Sequence, residues 1–236
     1  MFFTRSTLTR LPLLIAATAM VSACGILPGG GSSPATSSPR PSAQAAPRIS
    51  NNQSVRACYA ELGQAKVNFT PIPDQYFGGG CSQVASVRLS DIGLDRNADF
   101  QRALQVSNLG PVKCELANNF AGWAQFGVAR AARHIFGSDL ERIETMGSYS
   151  CRNIAGSARL SQHAHANAID VSAFILADGR RISVADGWNG SRQEREFLKV
   201  IHSSACKRFG TVLSPDYNAA HRDHLHLDMS GKGYCR

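Results

Sequence analysis

The stretch "AIDVSAFILADGRRISV", residues 168–184, decides how this chain is expected to fold. Residues 168–176 are rich in β-branched and aromatic side chains and read as a strand. "RISV" (181–184) reads as a second strand, and Asp178-Gly179 between the two is a tight-hairpin signal. On a strand, neighbouring side chains point to opposite faces, so Asp170 and Ser172 share one face and Ile169 and Val171 the other. Downstream, "HLHLDM" (224–229) alternates polar and apolar residues, as a half-buried strand does. That alternation puts His224, His226 and Asp228 on one face and turns Leu225 and Leu227 into the core. Upstream, "RIETMGSYS" (142–150) reads as a further strand.

Two helices complete the pattern. In 115–136, Leu116, Phe120, Trp123, Val128, Ala131 and Ile135 recur at mostly helical spacing, and Gly137 follows as a stop. His134, near that end, is expected on the surface. The second helix starts at Ser191, where "SRQE" is a capping box closed by Glu194. Its apolar face is read as Phe197, Val200, Ile201 and Ala205, with Gly210 beyond its end, and His202 on it is given no chemical role. Strand runs with separate helices imply an α+β domain built on a mainly antiparallel sheet with packed helices.

The histidines are unevenly placed. Five of the seven lie in "SQHAHANAID" (161–170) and "HRDHLHLD" (221–228). His163 precedes the strand that carries Asp170 and can curl back over its start. A loop imidazole, a strand carboxylate and an imidazole from an adjacent strand would then surround one point. Zinc suits two imidazoles and one carboxylate, with a fourth position open to water.

The rest of the chain bounds the setting. "MFFTRSTLTR" carries two arginines and no acid, and "LPLLIAATAMV" is an apolar run too short for a bilayer-spanning helix, which needs about 20 residues. The run leads into "VSAC" (21–24), and residues 1–23 resemble a bacterial lipoprotein signal, which implies lipidation of Cys24. An ordinary secretory signal is the alternative, and both export the chain. Gly25 after the cysteine favours the outer membrane. Residues 24–52 are dominated by Gly, Ser, Pro and Ala and read as a flexible tether, which leaves 53–236 as one domain. The formal charge of +8 is scattered, with no basic run interleaved with aromatics, so nucleic-acid binding has no support. Anionic envelope polymers are the expected electrostatic partner.

Beyond Cys24 stand six cysteines, Cys58, Cys81, Cys114, Cys151, Cys206 and Cys235, read as three disulfides of an exported protein. Six cysteines allow fifteen connectivities. Closeness along the chain suggests Cys58 with Cys81 and Cys206 with Cys235. No C-x-x-C spacing supports a cysteine zinc site.

"SQHAHANAID" resembles the S-x-H-x-x-G-x-A-x-D pattern of the D-Ala-D-Ala metallopeptidases, and His224-Leu225-His226 resembles the H-x-H of their wider group. That group includes the lysostaphin-type and murein endopeptidases and the hedgehog signalling domain. More closely, Cys58 to Asp228 resembles the bacterial extensin-like C-terminal domain family. The landmarks are "GSYSCR" (147–152), "LSQHAHANAIDVSAF" (160–174), "DGRRISV" (178–184), Cys206 with Phe209, and "PDYNAAHRDHLHLD" (215–228). The resemblance implies a LAS/hedgehog-like zinc peptidase core, with His163, Asp170 and His226 as zinc ligands. His224 would orient or deprotonate the attacking water, and His221 matches a further active-site histidine. Arg152 would hold a substrate carbonyl or carboxylate.

Two positions depart from the peptidase pattern. Ala166 replaces the glycine, and Asp223 stands where a catalytic glutamate is found. The implied activity is hydrolysis of peptide bonds in peptidoglycan stem or cross-link peptides, by a zinc enzyme tethered in the envelope. A non-catalytic wall-binding lipoprotein with structural zinc is the second expectation, and a disulfide-held structural lipoprotein the third. His165 is expected to be exposed or to support a ligand, and Asp228 can orient a ligand imidazole.

Overall fold

The computed structural model describes residues 48–94 and 103–236. The expected signal (1–23), Cys24 and the linker up to residue 47 lie outside the described residues. Among the described residues, no helix is long and apolar enough to cross a membrane. The last expected linker residues are already engaged with the domain. Arg48 O accepts from Asp74 N, and Ser50 Oγ donates to the Asp74 carboxylate.

Asn52 caps α1 (Gln53–Gln64), its side chain accepting from Val55 N. Then follow β1 (Val67–Pro71), β2 (Gln75–Tyr76), β3 (Ser82–Gln83), β4 (Ser86–Gly93), β5 (Ala103–Ser107) and β6 (Val112–Lys113). The predicted helix over 115–136 is continuous but not uniform. α2 (Cys114–Trp123) and α3 (Ala129–Phe136) are joined by a π turn over Ala124–Val128. The wider turn accompanies a double tie from Gln125, whose Nε2 donates to the carbonyls of Ala65 and Gly93. Gly137 closes α3 in the left-handed conformation.

β7 (Leu140–Gly147) covers the first part of the strand predicted at 142–150, and β8 (Ala168–Leu176) matches its predicted span. β9 (Arg181–Ser183) stops one residue earlier than expected. Val184 opens the short helix α4 (Val184–Gly187), with Ser183 capping through Asp186 N. Gly179, at φ 87°, supplies the left-handed residue in the β8–β9 connection. α5 (Arg192–Cys206) carries the predicted capping box at Ser191 and Glu194. β10 (Thr211–Leu213), β11 (Leu225–Asp228) and β12 (Tyr234–Cys235) complete the chain.

The main sheet runs β1-β4-β5-β7-β8-β11-β10-β12, with β6 on β4 and β9 on β8. Pairing is antiparallel except β5 with β7 and β10 with β12. The domain is therefore α+β with a mainly antiparallel sheet.

Leu116, Phe120, Trp123, Val128, Phe197, Leu198 and Ile201 pack from the helices onto Ile169, Val171, Phe174, Leu225 and Leu227 of the sheet. Trp123 is fully buried, donates from Nε1 to Ile201 O at 2.9 Å, and meets Phe174 and Phe209 edge-on. Val200, expected on the apolar face of α5, is 46% exposed, and Leu198 fills that place. β8 does not alternate strictly. A bulge against β7, where Glu144 pairs with Ala173 and Thr145 with Val171, shifts the inward face from Ile169 and Val171 to Phe174 and Leu176.

The cysteines form three disulfides, Cys58–Cys114, Cys81–Cys151 and Cys206–Cys235. The last agrees with the pairing suggested by closeness, and Cys58 with Cys81 is corrected. Sequence distance misleads there because α1 packs against α2, which brings Cys58 to Cys114 across 56 residues.

Candidate metal centre

The register of two strands builds the site. β11 pairs antiparallel with β8, and His226 lies directly opposite Asp170. Because Ile169, Val171, Leu225 and Leu227 bury into the helix-covered side, Asp170, His226 and Asp228 are turned to the other side of the sheet. β11 is nevertheless not half-buried as its alternation suggested. All four residues are buried, because the segment ahead of β8 folds over the polar side as well.

That segment is a 3-10 turn, Gln162–His165, started by Ser161, whose Oγ accepts from His163 N. Backbone bonds from Ser150 N to His163 O and from Ser161 N to Arg152 O pin it down. It ends at Ala166, buried and left-handed at φ 52°, ψ 28°. An alanine here adopts the conformation that glycine favours, at a cost of about 1–2 kcal/mol.

Three ligand-type side chains converge. His163 Nε2 lies 3.2 Å from Asp170 Oδ2 and 3.3 Å from His226 Nδ1, and His226 Nδ1 lies 2.9 Å from Asp170 Oδ1. Their ligand atoms all fall within 4.8 Å of one another. The outer nitrogens are engaged. His163 Nδ1 donates to Ser148 O at 3.0 Å, and His226 Nε2 donates to Asp228 Oδ2 at 2.9 Å. Asp228 is fixed in turn by Ser230 N and Oγ, each 2.6 Å from Oδ1. With the outer nitrogens donating, each ring keeps its second nitrogen facing the other ring and the Asp170 carboxylate. A cation, either a metal ion or a proton on an imidazole, can be shared among these groups.

Protons fill that role through the hydrogen bonds within the cluster. Burial opposes ionisation of Asp170, but hydrogen bonds from His163 and His226 outweigh it and hold the carboxyl well below the usual range. Burial likewise opposes protonation of His226, yet its bonds to Asp170 and Asp228 lift its pKa to about 9. Two imidazoles and a carboxylate with these partners fit zinc.

His224 borders the cluster, with Nε2 3.6 Å from Asp170 Oδ1. Its Nδ1 lies 2.8 Å from Asp223 Oδ1, so Asp223 contacts His224. His221 is adjacent, its ring centre 5.1 Å from that of His224 and 5.9 Å from that of His226. Asn218 Oδ1 holds its Nδ1 at 2.7 Å, and burial foremost, then the neighbouring histidines, lowers its pKa to about 4.

Arg152 is not in contact with the cluster. It is exposed, its charge is felt at His221, and its hydrogen bond is a long one to Asn153 O. Among the described residues no carboxylate is paired with it. His165 turns to Ser82 Oγ at 3.2 Å, and His134 is exposed as expected. Sequence reasoning missed Ser148, which acts through a backbone carbonyl and leaves no side-chain signal. It also missed Ser230, whose position two residues after Asp228 is a readable turn signal.

No curated protein and no solved structure matches this chain. A family model described as extensin-like protein C-terminus matches residues 56–236, and the chain belongs to that family.

Proposed function

We propose that this domain is a zinc-dependent peptidase of the LAS/hedgehog-like kind that hydrolyses peptide bonds in peptidoglycan stem or cross-link peptides. One observation carries the reading. His163, Asp170 and His226 converge through inward-facing ligand atoms, beside a histidine they do not use. When bound there, zinc supplies Lewis acidity and brings the pKa of water toward about 7.

The chain's own residues do the rest. Ser148 and Asp228 hold the two ligand rings so that Nε2 of His163 and Nδ1 of His226 face the Asp170 carboxylate. His224, fixed at Nδ1 by Asp223, presents Nε2 to the cluster and can take a proton from the attacking water and return it to the leaving amine. His221, anchored by Asn218, is a neutral neighbour able to share that role. Arg152, with no acidic partner among the described residues, is the cation available to a peptide carbonyl or terminal carboxylate.

The same proposal keeps the protein in the envelope, lipidated at Cys24 and facing the periplasm from the outer membrane. Deep burial of His163 and His226, 4% and 8% exposed, favours a second reading, a wall-binding domain with structural zinc.

The test is digestion of purified sacculi by wild type, by wild type with chelator, and by His226→Ala. New muropeptides from wild type alone support hydrolysis. Identical products in all three digests overturn it.

A further inference from the structure

The second cluster of ligand-type side chains lies away from His163, Asp170 and His226. It consists of His202, Cys206 and Cys235. His202 and Cys206 are four apart on α5, which places them on one helix face. β12 brings Cys235 to the same spot by pairing with β10, tied further by Arg236 N to Val212 O. His202 Nε2 lies 3.9 Å from Cys206 Sγ and 3.7 Å from Cys235 Sγ. Trp188 packs edge-on against the same imidazole at 5.7 Å and holds the ring in place.

We propose that Cys206, Cys235 and His202 form a soft-metal site for zinc or a similar thiophilic divalent ion when their disulfide is reduced. The distances carry the argument. In tetrahedral zinc with bonds of about 2.3 Å to sulfur and 2.0–2.1 Å to nitrogen, sulfur and nitrogen stand about 3.6 Å apart. Both sulfurs already sit near that separation from Nε2. Only the sulfur–sulfur gap must open, to about 3.8 Å, and side-chain rotation across a Cα separation of 5.7 Å accommodates it. All three residues are half-buried, so solvent can complete the coordination.

The chemistry balances with a dithiol reductant. Its thiolate attacks one sulfur of the cystine, its second thiol closes a disulfide in the reductant, and Cys206 and Cys235 leave as thiols with two electrons and two protons gained. Metal binding then releases both thiol protons. Oxidation and metal loading are mutually exclusive, so the site is open only to a reduced chain.

The full-length protein is reduced with a trialkylphosphine, which ends as the phosphine oxide with oxygen from water. It is then alkylated with and without Zn2+, and each cysteine is read by mass spectrometry. Zinc is expected to slow labelling of Cys206 and Cys235 by about tenfold or more, and to leave Cys58, Cys81, Cys114 and Cys151 unchanged. His202→Ala and the milder His202→Asn, each checked for native circular dichroism in the oxidised form, are expected to lose most of that protection. Labelling of Cys206 and Cys235 that is the same with and without zinc overturns the proposal. So does full protection of the pair in both variants. Because the readout is local to two cysteines, it is independent of whether the His163 cluster hydrolyses peptides.

Discussion

Asp228 accepts a hydrogen bond from Nε2 of His226 at 2.9 Å, and it does so while 4% exposed and held by two bonds from Ser230. A carboxylate so placed sets the tautomer of the imidazole and raises its basicity toward a metal. Asp228→Asn keeps the volume but removes the charge. It is expected to weaken zinc binding about 10–100-fold with the fold retained, as read by competition with a chromophoric chelator. Unchanged affinity would make Asp228 an ordinary strand-end contact.

The His224–Asp223 pair predicts a different signature. Neither residue belongs to the three converging ligands, so His224→Gln should bind zinc as wild type does. It is expected to lower turnover of sacculi about 10²–10⁴-fold, the usual contribution of a positioned general base. Asp223→Asn should fall between the two. Metal content and muropeptide release, measured on the same preparations, separate this from a ligand defect.

Ala166 offers a test of backbone strain. It is an alanine at φ 52° between the turn carrying His163 and the strand carrying Asp170. Ala166→Gly relieves about 1–2 kcal/mol of left-handed strain and gives back about 0.5–1 kcal/mol through the freer unfolded chain. A small net gain in thermal midpoint is expected, with zinc affinity unchanged. A clear loss would mean that the buried methyl contributes more than the strain costs.

What could be read from the sequence follows these same physical lines. The period of two located β8 and β11 and the shared face of Asp170 and His226, because one buried face enforces the alternation. It could not anticipate the bulge that turns Phe174 and Leu176 inward, nor the covering turn that buries β11 on both sides. Proline- and glycine-free local patterns marked α5 and its cap, but Val200 shows that a helical stripe leaves its edges undetermined. Partners made by tertiary closure stayed hidden, namely the carbonyl of Ser148, the pairing of Cys58 with Cys114, and the approach of Cys235 to His202.

The Cys58–Cys114 disulfide ties α1 to the start of α2 and closes 56 residues. Loop-closure entropy assigns such a crosslink about 4 kcal/mol at 25 °C. Cys58→Ala with Cys114→Ala is therefore expected to lower the thermal midpoint by about 10 °C, by scanning calorimetry, with zinc affinity retained. A shift of one or two degrees would indicate that α1 is held chiefly by packing of residues such as Val55 and Leu62.

The capping box of α5 carries its own pH dependence. Ser191 Oγ accepts from Glu194 N, and the Glu194 carboxylate accepts from Ser191 N at 2.8 Å. These hydrogen bonds from Ser191 hold the Glu194 pKa below its ordinary value. A depressed carboxylate stabilises the fold above the unfolded-state pKa, and that stabilisation fades as pH falls through the folded-state value. Glu194→Gln should therefore be less stable than wild type at pH 7 and converge on it below about pH 4. Ser191→Ala should cost about 1 kcal/mol at neutral pH. A difference between Glu194→Gln and wild type that stays constant from pH 7 to pH 3, by thermal melts, would remove the carboxylate from the account of how this helix begins.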